Sequence, residues 1–259
     1  MSLEVCQSVI FLRRHKSEML TSSHDCEPTR AALGSAALER SFLESEELPL
    51  YIAIAGNIGS GKSSLTTLLS ERYSLQPIFE AVDENPYLED FYRDMRRYAF
   101  HSQVFFLGKR LEQHLREVNT GGRVIQDRTV FEDAAVFAQN LRNGGFMDDR
   151  DWQTYRNLYE GISPALNVPT LTFYIKCSLE TLKRRISKRG RDFEQGISDE
   201  YLLCLNALYE EFMRDYTLSP VITVPGDELD FIADRYALGW ICGQLEARGL
   251  DAPMLESAA

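Results

Sequence analysis

The stretch Ile52-Ala-Ile-Ala-Gly56-Asn-Ile-Gly59-Ser-Gly61-Lys62-Ser63-Ser64 decides how the rest of the chain is read. An apolar run, Ile52 to Ala55, enters a glycine-rich turn ending in Gly-Lys-Ser. Leu65, Leu68 and Leu69 then recur at helical spacing, so the segment predicts strand, loop, helix. Those residue types suit a phosphate. Gly56 and Gly61 let backbone N–H groups turn inward onto an anion without a Cβ in the way. The start of the following helix adds positive partial charge. Lys62 can reach the β- and γ-phosphates as a point charge, and the Ser63 hydroxyl can ligate Mg2+. Gly56, Asn57, Ile58, Gly59, Ser60, Gly61, Lys62, Ser63 and Ser64 are together the expected nucleoside triphosphate cradle.

The whole chain narrows what that triphosphate can belong to. At 259 residues and 44% apolar content it can bury one full core. A net charge of −11 and a pI near 5.0 argue against nucleic acid or an anionic membrane as partner, which leaves a small ligand met by local basic clusters. No apolar run approaches the roughly 20 residues of a membrane span. Five cysteines are an odd number without metal-ligand spacing and read as reduced packing thiols of a cytoplasmic protein. Residues 1–47 are rich in Ser, Glu and Ala and are expected to form a poorly ordered extension. Its Val9 to Leu12 run is too short for a signal-peptide core, and its acids are unlike a transit peptide. Residues 48–250 are expected to be the folded domain and 251–259 a flexible tail.

From Leu48 onward, strand and helix patterns alternate. Strands are expected at 77–81, 123–127, 171–175 and 221–224, besides the first. One short and one long helix fit 86–118, and further helices fit 131–141, 148–162, 179–188, 198–216 and 229–247. This alternation implies an α/β fold with a five-stranded parallel sheet between layers of helices. Ligands gather at the carboxyl ends of such strands, where Glu80, Asp127 and the loop after Ile54 all fall.

Three residue groups there carry chemistry. Glu80 can accept a proton from an attacking hydroxyl. Asp127-Arg128-Thr129 joins an acid suited to Mg2+ with a guanidinium able to neutralise a moving phosphoryl group. Arg185 through Glu194 holds Lys188, Arg189 and Arg191 and is the densest positive charge in an acidic chain, which reads as a lid closing over phosphate. Phe100, Phe105, Phe106 and Phe137 could line a base slot, but aromatic residues at helical spacing are more often core, so none of them is assigned to the site.

At this point the sequence resembles the deoxyribonucleoside kinase family, most closely its bacterial deoxyadenosine/deoxyguanosine kinases. The resemblance rests on Gly56-Asn-Ile-Gly-Ser-Gly-Lys-Ser-Ser64, Glu80-Ala-Val-Asp-Glu-Asn-Pro86, Asp127-Arg-Thr-Val-Phe-Glu-Asp133 and Arg189-Gly-Arg-Asp-Phe-Glu-Gln195, in that order, and spans residues 49 to 247. It implies a P-loop NTPase-like fold with a lid, ATP as donor, Mg2+ and a homodimer. It also implies roles: Glu80 as general base, Arg128 holding that acid and the phosphate, Lys62 on phosphate, and Ser63 with Asp127 on the metal side. Gln103, Arg110 and Asp133 would read the base, Tyr92 and Glu194 would grip the sugar 3′-hydroxyl, and Arg185, Arg189 and Arg191 would be the lid arginines. Thr129 stands where the family usually has serine, and the hydroxyl is retained. The expected reaction is phosphorylation of a deoxynucleoside, purine before cytosine. A nucleoside monophosphate kinase is the second enzymatic reading. A non-catalytic assembly subunit is the third, opposed by the presence of Lys62, Glu80 and Arg128 together.

Overall fold

The computed structural model describes residues 49–250, so the expected extension at 1–47 and the tail at 251–259 lie outside the described residues. The described residues form five strands: β1 (Leu50–Gly56), β2 (Gln76–Ile78), β3 (Arg123–Asp127), β4 (Leu171–Lys176) and β5 (Val221–Pro225). They form one parallel sheet in the order β2-β3-β1-β4-β5. β1 is central and buried at every position, which its uninterrupted apolar sequence requires of a strand covered on both faces.

The helices are α1 (Lys62–Tyr73), α2 (Leu88–Arg93), α3 (Met95–Gln113), α4 (130–143), α5 (Asp149–Ile162), α6 (Leu179–Arg189), α7 (Asp199–Arg214) and α8 (Arg235–Glu246). One face of the sheet packs Ile52, Ile54 and Phe173 against Leu65 and Leu69 of α1, Leu182 of α6 and Ile241 of α8. The other packs Ala55 and Tyr174 against Phe131 and Phe137 of α4, Tyr155 of α5 and Tyr209 of α7. The chain leaves β1 toward one face and leaves β3 toward the other. That reversal opens a crevice at the carboxyl ends of these two neighbours. Register sets Ile54 beside Asp127, so the phosphate loop and the Asp127-Arg128 turn meet there.

The expected sheet and helix order are found, with three corrections. β2 ends at Ile78, so Glu80 stands two residues past the strand rather than closing it. The helix expected over 131–141 covers 130–143 and widens to π-type turns over Asp133–Ala138. The helix expected from 229 starts at Arg235, because Asp230 accepts from the Ile232 and Ala233 N–H groups in a turn of its own. Asp234 then caps α8 through the Tyr236 N–H.

Candidate active site

A cavity of about 300 Å3 opens at the crevice. Its floor at one end is the phosphate loop. Gly56 has φ 147°, and a Cβ there would stand 2.8 Å from the Ile175 carbonyl, so only glycine lets β1 leave the sheet at this angle. Ile58, Gly59, Lys62 and Ser63 face the cavity. Lys62 is buried, and its Nζ donates to the Asn57 carbonyl at 3.0 Å. Burial, reinforced by Arg128, lowers its pKa to about 8. Ser63 Oγ donates to Asp127 Oδ2 at 2.5 Å, while buried Asp127 Oδ1 has no hydrogen-bond partner among the described residues. This hydroxyl and carboxylate form a donor set suited to a hard cation. Among the described residues no cluster of three His, Cys, Asp or Glu could hold a metal by itself, so phosphate oxygens would have to complete its shell.

The middle of the cavity is a buried ion network. Glu80 Oε1 accepts from Arg128 Nη1 at 2.9 Å and from Arg110 Nη2 at 2.8 Å. Arg110 also donates through Nε to Asp133. Burial by itself would raise Glu80, but Arg128, Arg110 and Lys62 outweigh it and hold its pKa at about 2. Burial pushes the Asp133 carboxyl above its ordinary value even though Arg110 draws it back. Two arginines and two acids therefore compensate each other in a place where an unpaired charge would cost several kcal/mol. Phe137 lies beneath Arg128, its ring centroid 3.9 Å from the guanidinium carbon.

The far end is lined by Gln103, Tyr92, Phe106 and Tyr201. Gln103 Oε1 is buried with no hydrogen-bond partner among the described residues, and so offers an acceptor to whatever fills the cavity. The lid follows α6. Gly190 ends that helix in a left-handed conformation, and a short turn at Asp192–Glu194 brings Glu194 inside. Arg189 donates to Glu194 Oε2 from Nε at 3.0 Å, and Arg191 approaches Oε1 at 3.4 Å. Phe193 stacks on Tyr92 with centroids 5.9 Å apart, which lays the lid turn against α2. Burial pushes the Tyr92 phenol well above its ordinary pKa, so it stays a donor.

The structure gathers Lys62, Ser63, Glu80, Tyr92, Gln103, Arg110, Asp127, Arg128, Asp133, Arg189, Arg191 and Glu194 around this one cavity. It places Arg185 elsewhere: its guanidinium donates to the Ser60 carbonyl at 2.6 Å and the Gly226 carbonyl at 2.8 Å, behind the phosphate loop. Asn57 turns its side chain out of the cavity toward α7, donating to the Leu202 carbonyl and to Asn206. Of these four phenylalanines, Phe106 and Phe137 line the cavity, and Phe137 also belongs to the buried core. Glu132 also emerges, buried and bonded to Thr129, Gly56 and Tyr209. Its sequence signal is the Thr129-to-Glu132 spacing of a helix capping box.

A phosphate loop facing an acid and two arginines at the switch point of a parallel sheet defines a nucleotide-dependent phosphotransferase of the P-loop type. The model of the deoxynucleoside kinase family matches residues 52–245, and the chain belongs to that family. The deoxyadenosine/deoxycytidine kinase of Bacillus subtilis (strain 168) is 34% identical over 196 residues, covering 75% of this chain and 90% of that protein. The deoxyadenosine kinase of Dictyostelium discoideum is 38% identical over 179 residues, 69% of this chain and 73% of that one. The deoxyguanosine kinase of Lactobacillus johnsonii (strain CNCM I-12250 / La1 / NCC 533) is 35% identical over 206 residues, 76% and 91%. Among solved structures, deoxyadenosine kinase from M. mycoides with bound dATP superposes with a TM-score of 0.68 at 32% identity. That match covers 76% of this chain and 99% of that one. The protein is an enzyme, a transferase that phosphorylates nucleosides with ATP as donor. No helix among the described residues is long and apolar enough to cross a membrane.

Proposed function

We propose that the protein transfers the γ-phosphoryl group of ATP to the 5′-hydroxyl of a deoxyribonucleoside, releasing the monophosphate and ADP in nucleotide salvage. The supporting observation is Glu80, an ionised carboxylate fixed by two arginines in the same cavity as Lys62 and Ser63. In the reaction the O5′–Pγ bond forms, the bond from Pγ to the β,γ-bridging oxygen breaks, and the hydroxyl proton passes to Glu80. With a pKa near 2, Glu80 orients the hydroxyl and takes the proton late, as suits a loose transition state. Arg128 holds Glu80 and neutralises the moving phosphoryl, and Lys62 holds the donor phosphates.

Ser63 and Asp127 would hold Mg2+, which would supply positive charge against the phosphates. Arg189 and Arg191 would close over the phosphates. Gln103, with Arg110 and Asp133, would read the base, because an amide offers donor and acceptor together. Tyr92 and Glu194 would hold the 3′-hydroxyl.

A purine is the preferred base. Relatives named for deoxyadenosine and deoxyguanosine support this, and deoxycytidine, in the name of the Bacillus subtilis relative, is the second choice. Residues 48–250 act as the catalytic unit, two copies associate through α3 with the exposed Leu115 beyond it and the exposed Leu158 of α5, and the site of action is the cytoplasm. The free thiols Cys177, Cys204 and Cys242 accord with that compartment.

The test is a panel of four deoxynucleosides and their monophosphates with ATP and Mg2+. Turnover of deoxyadenosine or deoxyguanosine, with no turnover of monophosphates, is expected. Phosphorylation of a monophosphate alone would overturn the reading in favour of a monophosphate kinase. That outcome is disfavoured by Glu80 and Glu194, two carboxylates lining the cavity where a second phosphate would meet like charge.

A further inference from the structure

Glu132 lies outside the cavity, only 1% exposed, with both oxygens engaged. Oε1 accepts from Thr129 N at 2.9 Å and Thr129 Oγ1 at 3.2 Å. Oε2 accepts from the Tyr209 hydroxyl at 2.9 Å and from Gly56 N at 3.4 Å. A capping box needs from this acid only the bond from Thr129 N, matched by the Glu132 N–H donating to the Thr129 hydroxyl. The pair at Oε2 reaches 76 and 77 residues along the chain, to the first glycine of the phosphate loop and to α7, the helix that follows the lid.

Arg128 stands between these anchors in a strained conformation, with φ 65°. A non-glycine residue keeps that geometry only where its surroundings fix it. Here Arg128 N donates to the Ile54 carbonyl at 3.0 Å, and Glu132 pins the next N–H, that of Thr129. The ring of Tyr209 meets Phe137 edge-on at 6.1 Å, and Phe137 supports the Arg128 guanidinium. Glu132 thus joins the donor loop, the turn carrying the arginine, and α7.

We propose that Glu132 is a positioning residue for phosphoryl transfer, one carboxylate that sets Arg128 against Gly56 of the phosphate loop. The inference rests on the kinase reading for the role of Arg128. Glu132→Gln keeps size and shape but turns an amide donor toward the Gly56 N–H or the Thr129 N–H. A displacement of about 1 Å in a reacting constellation costs on the order of 100-fold in turnover.

The experiment measures kcat and KM for wild type, Glu132→Gln, Arg128→Lys and the double variant, on whichever acceptor the wild type phosphorylates, water included. Failure with every deoxynucleoside would thus count against the parent reading alone. Expected is a fall in kcat of about 100-fold for Glu132→Gln, with KM for the acceptor within about threefold of wild type. The double variant should be no slower than Arg128→Lys, since Glu132 acts through that arginine. An unchanged kcat, or losses that multiply in the double variant, would overturn the proposal. Should Glu132→Gln fail to fold, Tyr209→Phe removes one bond to the same oxygen. A kcat loss of about 3- to 10-fold, absent in the Arg128→Lys background, is then expected. A loss of melting temperature with unchanged kcat per folded molecule would show packing alone and sink the idea.

Discussion

Arg128 donates from Nη1 to Glu80 Oε1 at 2.9 Å, reaching across from the turn after β3 to the segment beyond β2. Arg110 shares the same oxygen, so the proposed base is held from two directions. Glu80→Gln would keep the shape and remove the charge. We expect turnover to fall by about 100-fold or more, since general-base contributions are of that size. ATP affinity should stay within about threefold, because Lys62 and the loop amides are untouched. Steady-state kinetics beside calorimetric titration with ATP checks both. Full turnover would remove Glu80 from the role of base.

Gln103 presents a buried Oε1 that no hydrogen bond satisfies in the described residues. A group kept so is costly to the fold, at roughly 1–3 kcal/mol, and its worth must lie in a ligand. Gln103→Leu should therefore leave the melting temperature unchanged or raise it. It should also raise KM for the deoxynucleoside by about 10- to 100-fold. Thermal unfolding and a KM series on one preparation decide the matter. A destabilised variant with unaltered KM would mark Gln103 as packing.

Lys62 is lowered to about 8 by burial and then by Arg128, against an ordinary value of 10.5. Below pH 8 the ligand-free enzyme carries the charge. Triphosphate favours the charged form, so binding must restore the proton once pH exceeds 8. The dissociation constant for ATP is expected to be flat from pH 6.5 to 7.5. It should then rise by up to about tenfold per pH unit above 8. Stability of the ligand-free protein has the opposite sign. The folded chain releases this proton at about 8 and the unfolded chain only near 10.5, so the contribution grows as pH rises through that interval. Binding and stability should diverge between pH 8 and 9.5, a pattern that general alkaline damage does not give.

Gly56 has φ 147° with the Ile175 carbonyl and Ser60 Oγ each 2.8 Å from where a Cβ would stand. Gly56→Ala would press on a backbone oxygen of the neighbouring strand as well as strain its own backbone. A loss of about 2–4 kcal/mol by urea unfolding is expected, together with loss of ATP-induced thermal stabilisation. Gly239, on α8 with no atom within 4 Å of an added Cβ, is the control: Gly239→Ala should be neutral or stabilising.

What could be read from the chain and what could not have different physical causes. Gly56 to Ser64 reports its own fold because loop and helix N-terminus are contiguous, and the runs Ile52 to Ala55 and Leu171 to Ile175 declare buried parallel strands by composition. Tyr92, Gln103 and Glu194 came from resemblance to a family, and the structure places them on one cavity. Glu132 and Phe137 had no local signal beyond a capping spacing and a helical apolar stripe. Their partners Tyr209, Gly56 and Arg128 are distant in sequence or lie across a turn. Arg185 shows the converse. It shares a basic helix with Arg189, yet its place on that helix carries it behind the phosphate loop onto Ser60 and Gly226.

Glu194 is held by Arg189 and Arg191 inside the cavity, across from Tyr92. Were this carboxylate the acceptor for a sugar 3′-hydroxyl, a substrate without that hydroxyl would leave a buried charge less well satisfied. Discrimination of that origin is large. Wild type is expected to prefer a deoxynucleoside over the corresponding 2′,3′-dideoxynucleoside, and Glu194→Gln should shrink that preference by about 10- to 100-fold in kcat/KM. The substitution also weakens the hold on Arg189 and Arg191, so affinity for ATP should not fall, since phosphate then competes with a neutral amide for both guanidinium groups. Separate kcat/KM values for the two sugars, beside KM for ATP, distinguish the outcomes. A preference unchanged by Glu194→Gln would show that Glu194 only restrains the lid arginines, and that the 3′-hydroxyl is read by another group.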